Sequence, residues 1–178
     1  MILGLDISTT RVGVSILSEK EELLFCDVLK MNSKSSLLER CSTLEKFIKE
    51  LKFEFKHVFI EEPFTMFGGG KTTANTMAKL QRFNGMCSYM INKSYNIDPI
   101  LIPANKARKS VGITLKRGMC TKTKVINFVE QKYSNFQVYY TKHGNIKPGT
   151  DDKADSVVIA LAGIKTMEIK DVKETKEG

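Results

Sequence analysis

Four carboxylic acids in this 178-residue sequence occupy positions where surface acids are uncommon. Asp6 and Glu61 each end a short apolar run that is typical of a buried strand, and the i,i+3 spacing of Asp152 and Asp155 places both on one face of a helix. Carboxylate oxygens suit Mg²⁺ or Mn²⁺, and carboxylates packed together without a cation repel one another. Such a set supports two-metal phosphodiester hydrolysis, in which one ion activates water and the other stabilises the leaving oxygen.

The charge of the sequence is unevenly divided along its length. Residues 63–150 contain 14 Lys and Arg but only two acids, Asp98 and Glu130. Residues 1–62 contain 9 Lys and Arg against 11 acids, and residues 151–178 contain 5 against 7, so a formal net charge of +8 hides a strongly basic centre. Clustered Lys and Arg neutralise phosphates and release counterions, which predicts a polyanionic partner. The alternative is a merely solvated basic surface.

Short apolar runs predict the strands that would position two of the acids. Three runs, Ile2 to Ile7, Val12 to Leu17 and Leu23 to Leu29, follow one another closely and are typical of an antiparallel meander. Val58 to Ile60 predicts a fourth, buried strand that the following proline would end. A fifth strand is expected at Ile100 to Ile102.

Helical spacing of apolar residues predicts the remaining elements. We expect helices at about 36–52, from Lys71 to about Asn92, near 104–110, from an N-cap at Thr121 to Tyr133, and from Asp152 to about Met167. Residues 1–168 would then form one α/β domain, followed by a charged C-terminal tail at 169–178 that frays.

The composition excludes several classes of protein. Hydrophobic residues make up 42% of the sequence, which excludes a disordered chain, and no apolar run reaches the roughly 18–20 residues that a membrane span needs. The first residues lack the basic region and long apolar core of a signal peptide. Four widely spaced cysteines and two histidines predict reduced thiols without structural zinc, as in a cytoplasmic protein.

Three segments together resemble a known family. The opening GLDISTTRVGVSIL, the segment VFIEEPF and the closing DDKADSVVIAL resemble, in order and spacing, the three acidic motifs of the RuvC-type Holliday junction resolvases. The resemblance covers nearly the whole domain. It implies an RNase H-like fold, with a five-stranded mixed sheet flanked by helices and with the acids at the ends of central strands and on the last helix. The length and the connecting sequence look more like those of a phage-encoded member.

The resemblance implies a catalytic metal site. Asp6 matches the aspartate of the first strand, Glu61 the glutamate after the fourth strand, and Asp152 and Asp155 the pair on the final helix. Their implied role is to coordinate Mg²⁺, with Mn²⁺ as a substitute and two ions per site.

Two neighbouring acids compete with these positions. Adjacent residues of a strand face opposite ways, so only one of Glu61 and Glu62 can face the site, and the family pattern selects Glu61. Asp151 is expected to be the N-cap of the last helix.

An aromatic residue after Glu61 is a candidate DNA contact. Phe64 occupies the position of a family aromatic that stacks on bases near the junction centre, and Phe67 is a second candidate for that role. The alternative is that Phe64 packs beneath its own loop.

Basic residues of the central block are candidate phosphate contacts. Lys106 and Lys122 lie near two family lysines that contact phosphates, and Arg108 and Lys109 compete with Lys106 because the register is open by a residue or two. Weaker candidates are Arg11, which is equally well explained as part of a hairpin turn, Lys71 and Arg82. His143 could assist proton transfer, but a surface histidine is the favoured interpretation.

The predicted function is that of a divalent-metal endonuclease that resolves Holliday junctions by paired cleavage. A two-fold junction calls for a two-fold protein, so we expect a homodimer, with the helix at 71–92 as its contact surface. One alternative is a general branched-DNA or fork nuclease. Another is an RNase H-like module that binds nucleic acid without cutting it, although the intact set of four acids argues against this. The actin-like and sugar-kinase superfamily shares a turn like GLDISTTRVG, but 178 residues supply only one of its two subdomains.

Overall fold

The computed structural model describes residues 1–63, 73–115 and 120–177, with side chains up to residue 168. These residues form five strands and five helices. In chain order they are β1 (Ile2–Ile7), β2 (Arg11–Leu17), β3 (Leu23–Lys30), α1 (Leu37–Glu50), β4 (His57–Glu61), α2 (Ala74–Tyr95), β5 (Ile100–Ile102), α3 (Ala104–Ser110), α4 (Thr121–Lys132) and α5 (Thr150–Glu177).

The strands form one mixed sheet in the order β3-β2-β1-β4-β5. The meander β1–β2–β3 is antiparallel as predicted, and β4 and β5 extend the sheet in parallel with β1. Leu5 of β1 lies opposite Ile60 of β4. The next residue along the chain is Asp6 on β1 and Glu61 on β4. The predicted α/β fold with a five-stranded mixed sheet is confirmed.

Helices cover both faces of the sheet. Side chains alternate along β1, so that Leu3, Leu5 and Ile7 join the core formed with α1 and α2, whereas Ile2 joins the core formed with α3, α4 and α5. We call these the α1–α2 face and the α5 face. Asp6, an even-numbered residue of β1, lies on the α5 face.

Helix α5 lies unusually close to the sheet. A Cβ atom on Gly4 would overlap the carbonyl oxygen of Ser156, and one on Gly163 of α5 would overlap the ring of Phe59. The Ser15 hydroxyl also donates a hydrogen bond of 2.8 Å to the Ser156 carbonyl. Glycine at position 4 lets the helix and strand backbones touch, and glycine at position 163 makes room for the Phe59 ring.

Two predicted helix starts are wrong. The N-cap of α4 is Cys120, and Thr121 is already helical. Helix α5 begins at Thr150, whose amide and hydroxyl both donate to the Lys147 carbonyl, so Asp151 lies inside the first turn and is not the N-cap. The same helix runs on to Glu177, through residues predicted as a frayed tail.

All four cysteines are free, with Cys41 and Cys87 buried, Cys26 half-buried and Cys120 exposed. Among the described residues, no helix combines the length and the apolar character that crossing a bilayer requires.

Candidate metal centre

The ends of β1 and β4 bring two carboxylates side by side. Phe59 of β4 belongs to the core of the α5 face, and strand alternation therefore turns Glu61 to that face and Glu62 away from it. Asp6 is turned to the same face on the neighbouring strand. The structure thus brings Asp6 and Glu61 together, as the sequence predicted.

The first turns of α5 bring the other two acids to the same place. Gly13 of β2 lies opposite Asp6 in the β1–β2 ladder, and a Cβ atom on Gly13 would overlap the backbone carbonyl of Asp152. The backbone of α5 therefore rests on the strand next to Asp6. Asp155 follows one helical turn later, so it lies on the same side of α5 as Asp152.

Burial and neighbouring negative charges raise the pKa values of all four carboxyl groups. Burial, followed by the charges of Glu61 and Asp155, raises the pKa of Asp6 well above its ordinary value. Burial and the charge of Asp155 raise the pKa of Glu61 to about 7. Burial raises the pKa of Asp155 to about 6, and burial and Asp151 raise that of Asp152. The site therefore concentrates more negative charge than the protein alone neutralises.

Three basic residues partly offset this charge. The Arg11 side chain donates through Nε to Asp152 Oδ2 at 3.0 Å, and Arg108 Nη1 lies 3.8 Å from Asp155 Oδ1. Lys122 of α4 forms a hydrogen-bonded ion pair with Asp151. Burial alone would raise the pKa of Asp151, but this bond and the lysine charge lower it, and the pKa of Lys122 rises in return.

Two buried polar residues position the strands that carry the site. Arg40 of α1 donates to the backbone carbonyls of Thr9, Ser33 and Ser35, which fixes the β1–β2 turn. Asn84 of α2 donates to the Glu61 carbonyl at 3.2 Å and so holds the end of β4. Neither role could be predicted from the sequence, because each contact joins a helix to a distant strand end or turn.

The donor set suits a hard divalent cation, since it consists of carboxylate oxygens that raise one another's pKa. Within the described residues, no three His, Cys, Asp or Glu side chains are arranged closely enough to hold an ion as they stand. Asp151 and Asp152 are instead hydrogen-bonded to Lys122 and Arg11.

The basic candidates from the sequence divide into two groups. Arg11 and Lys122 contact the acids of α5. On α3 it is Arg108 that faces the site, whereas Lys106 and Lys109 are exposed and neither forms an ion pair in the described part of the chain. Arg108 is only 17% exposed, and its buried Nε has no hydrogen-bond partner among the residues that the structure describes.

The remaining candidates lie elsewhere. Phe64, Phe67 and Lys71 fall outside the described residues. Arg82 is exposed on α2, and His143 is exposed in the segment that precedes α5.

The order of the sheet, the long final helix and the acids at the strand ends define an RNase H-like α/β fold. No family model and no curated protein matches the sequence. Solved structures do match. The chain is similar to RuvC of T. thermophilus in complex with a Holliday junction substrate, with a TM-score of 0.69 and 15% identity over 94% of both chains.

A second RuvC structure from Thermus thermophilus gives a TM-score of 0.64 at 18% identity, covering 95% of this chain and 96% of that one. The yeast mitochondrial Holliday junction resolvase Ydc2 gives a TM-score of 0.58 at 14% identity, covering 92% of this chain and 77% of that one. The resemblance to RuvC-type resolvases seen in three short motifs is thereby confirmed at the level of the fold.

Proposed function

We propose that this protein is a divalent-metal-dependent endonuclease that resolves Holliday junctions. The observation that carries the proposal is the convergence of four mutually repelling carboxylates, from β1, β4 and α5, in a fold similar to that of RuvC bound to a Holliday junction. Ordinary surface acids do not raise one another's pKa in this way, because burial and crowding of like charge are costly unless function requires them.

Asp6, Glu61, Asp152 and Asp155 would hold the metal, and Mg²⁺ is the ion that best fits an all-carboxylate set. Two bound ions would supply an activated water and stabilise the leaving oxygen of the phosphodiester. The protein's own contribution is to keep the carboxylates fixed: β1 and β4 are paired in register, and α5 touches β2 at Gly13. Fixed charges need no reorganisation during the reaction.

Arg11, Arg108 and Lys122 would bind the DNA phosphates. Each now contacts an acid of α5, so a metal ion that takes over the carboxylate charge would free these cations to donate to phosphate oxygens. The basic block at 63–150 supplies the longer-range attraction.

Two copies of the chain would be needed for paired cleavage. Leu38 of α1 and Tyr89 of α2 are both exposed and line one groove of about 260 Å³ together with Met86. An apolar groove on α2 agrees with the helix chosen from the sequence as the dimer surface, and we propose that a second copy covers it. Tyr89→Asp should then yield a monomer by light scattering, and this monomer should nick junctions without paired cuts. A wild-type protein that is monomeric at micromolar concentration would contradict the dimer.

The nuclease is tested on labelled four-way, three-way, forked and linear DNA with Mg²⁺ or EDTA. We expect paired, Mg²⁺-dependent nicks on the four-way junction. Glu61→Gln should stop cutting but leave junction binding intact, whereas the matched Glu62→Gln, at the neighbouring acid that faces away, should cut normally. Absence of metal-dependent cutting on every substrate would refute the nuclease.

The same experiment decides between two activities. Equal cutting of forks and four-way junctions would favour a general branched-DNA nuclease. Tight junction binding without cutting in any divalent ion would favour a non-catalytic binding module.

A further inference from the structure

A small hairpin precedes the site helix. Residues 137–147, which we call the tyrosine hairpin, are held by hydrogen bonds from Lys147 N to the Tyr139 carbonyl and from Thr141 N to the Asn145 carbonyl, both 2.8 Å. Tyr140 and Ile146 form an antiparallel bridge within it.

The hairpin is attached to the first turn of α5. Lys153, which lies between the two metal-site acids of that helix, is buried and donates from Nζ to the Gln137 carbonyl at 2.8 Å. The same ammonium lies 4.5 Å from the ring centroid of Phe136 and 5.6 Å from that of Tyr139. The hairpin is therefore fixed relative to Asp152 and Asp155.

The base of the hairpin lies beside Arg11. A Cβ atom on Gly149 would stand 3.0 Å from Val28 Cγ1 and 3.5 Å from Arg11 Cδ, so the segment leaves the site on the β2–β3 side. Helix α3, which carries Arg108, follows β5 at the opposite edge of the sheet. A strand bound at the carboxylates would be flanked by the hairpin on one side and by α3 on the other.

The composition of the hairpin suits nucleic acid. No acid occurs between Glu130 and Asp151, while Lys142, His143 and Lys147 are all exposed on or next to the hairpin. Tyr140 is 60% exposed. Tyr139 is 54% exposed, but its ring faces Lys153 and its hydroxyl donates to Gln137, which leaves Tyr140 as the aromatic that is available to a ligand.

We propose that the tyrosine hairpin is a second DNA contact, in which Tyr140 stacks on an unpaired base next to the cleaved phosphate. The inference rests on the proposed function and adds a substrate requirement to it. In a fully paired duplex the faces of each base are covered by its neighbours, so a protein ring stacks without the cost of unstacking base pairs only where a base is unpaired. Branch points with unpaired nucleotides near the cut would therefore be the preferred substrates, and Lys142 and Lys147 would neutralise the adjoining phosphates.

The first test compares Tyr140→Ala, Tyr140→Leu, Tyr140→Phe and Tyr140→Trp by fluorescence anisotropy on a junction with two unpaired nucleotides at the branch point, in EDTA. The Ala and Leu variants should bind about 5- to 100-fold more weakly, and the Phe and Trp variants should bind like the wild type, because only an aromatic face stacks. Leu24→Ala, at an exposed apolar side chain near the far end of β3, is the matched control and should leave binding unchanged.

The second test places 2-aminopurine at the unpaired position. The wild type should quench its fluorescence by stacking, and Tyr140→Leu should not. Lys142→Ala should lower the slope of log affinity against log salt by about 0.7–0.9, whereas Tyr140→Leu should leave that slope unchanged.

The hairpin proposal and the nuclease proposal can each fail alone, and the two failures give different experimental results. If the wild type cuts junctions and Tyr140→Leu binds as tightly as the wild type, the hairpin proposal alone is overturned. It is likewise overturned if Tyr140→Phe binds as weakly as the Leu variant, since the hydroxyl would then be the contact. If the wild type binds but never cuts, and the Leu variant binds more weakly, the hairpin proposal stands without the nuclease.

Discussion

The two faces of the sheet are packed in different ways. On the α1–α2 face apolar side chains, among them Leu44, Ile48, Phe83 and Ile91, fill the space between helix and strand. On the α5 face, backbone touches backbone at Gly4 and Gly13. The site lies on the second face.

The difference shows how a charged site can be held in place. A side-chain interface can adjust to a substitution by changing rotamers, whereas a backbone contact leaves no atom that can move away cheaply. Holding α5 by its backbone fixes Asp152 and Asp155 against Asp6 despite their mutual repulsion. The four predictions that follow test this contrast, beginning with the largest expected effect.

The variant Asp6→Asn should lose activity and gain stability. On the proposed function Asp6 is a metal ligand, so we expect cleavage by the Asn variant to fall by at least about 10²–10³-fold, as for other electrostatic catalytic groups. Because burial and neighbouring acids raise the pKa of Asp6, its charge destabilises the fold at pH 8, and the amide should raise the melting temperature in EDTA. Normal cutting by the Asp6→Asn variant would show that Asp6 is not part of the metal site.

The variant Gly13→Ala should damage stability and activity together. The new methyl group meets the backbone of α5, so we expect a loss of about 3 kcal/mol, the upper end of the usual cost of overpacking, in the free energy of unfolding. Cleavage at a temperature where the variant is still folded should also fall, because Asp152 is displaced. Urea denaturation and junction cleavage measure the two effects, and normal values of both would show that α5 is not held at this contact.

Stability should depend on pH through the raised carboxylates. The folded protein keeps protons on Glu61 up to its pKa of about 7, whereas the unfolded chain releases them near 4.5, so the folded state binds more protons between these values. The melting temperature in EDTA should therefore fall as pH rises from about 4.5 to 7 and then level off. Mg²⁺ should raise it more at pH 8 than at pH 5, because only ionised carboxylates bind the metal. An equal Mg²⁺ effect at both pH values would argue against these acids as ligands.

The smallest effect is expected at Gly85, on the α1–α2 side of the molecule. Nothing lies within 4 Å of a Cβ atom placed on this exposed helical glycine. Since glycine weakens the interior of a helix, Gly85→Ala should stabilise the protein by about 0.5–1 kcal/mol, opposite in sign to Gly13→Ala. Denaturation of the two variants side by side would sharpen the contrast, and a destabilised Gly85→Ala would contradict it.

Local pattern was sufficient for much of the fold. Runs of apolar residues located the five strands, because strand alternation is a short-range property. The ends of the first and fourth strands singled out Asp6 and the pair Glu61 and Glu62, between which only the family resemblance chose. The i,i+3 spacing of Asp152 and Asp155 was sufficient to place both acids on one face of a helix. What could not be read locally depends on contacts between distant segments.

Three misses illustrate this limit. Arg108 was left open against Lys106 and Lys109, since only the packing of α3 against α5 decides which residue of a short basic helix faces the site. Gly13 was interpreted only as part of a strand, although its role is to admit α5. The start of α5 at Thr150 depends on the Lys147 carbonyl of the preceding hairpin and could not be judged from Asp151 alone.

The contact between Gly13 and the backbone of Asp152 has a consequence for genetics. A random mutagenesis screen that selects for loss of cleavage should recover substitutions of Gly13 beside those of the four acids, although glycine has no side chain that could take part in chemistry. In this protein an inactivating allele is therefore not by itself a sign of a catalytic side chain. Revertants of a Gly13 allele should map to residues that shift α5 away from the sheet.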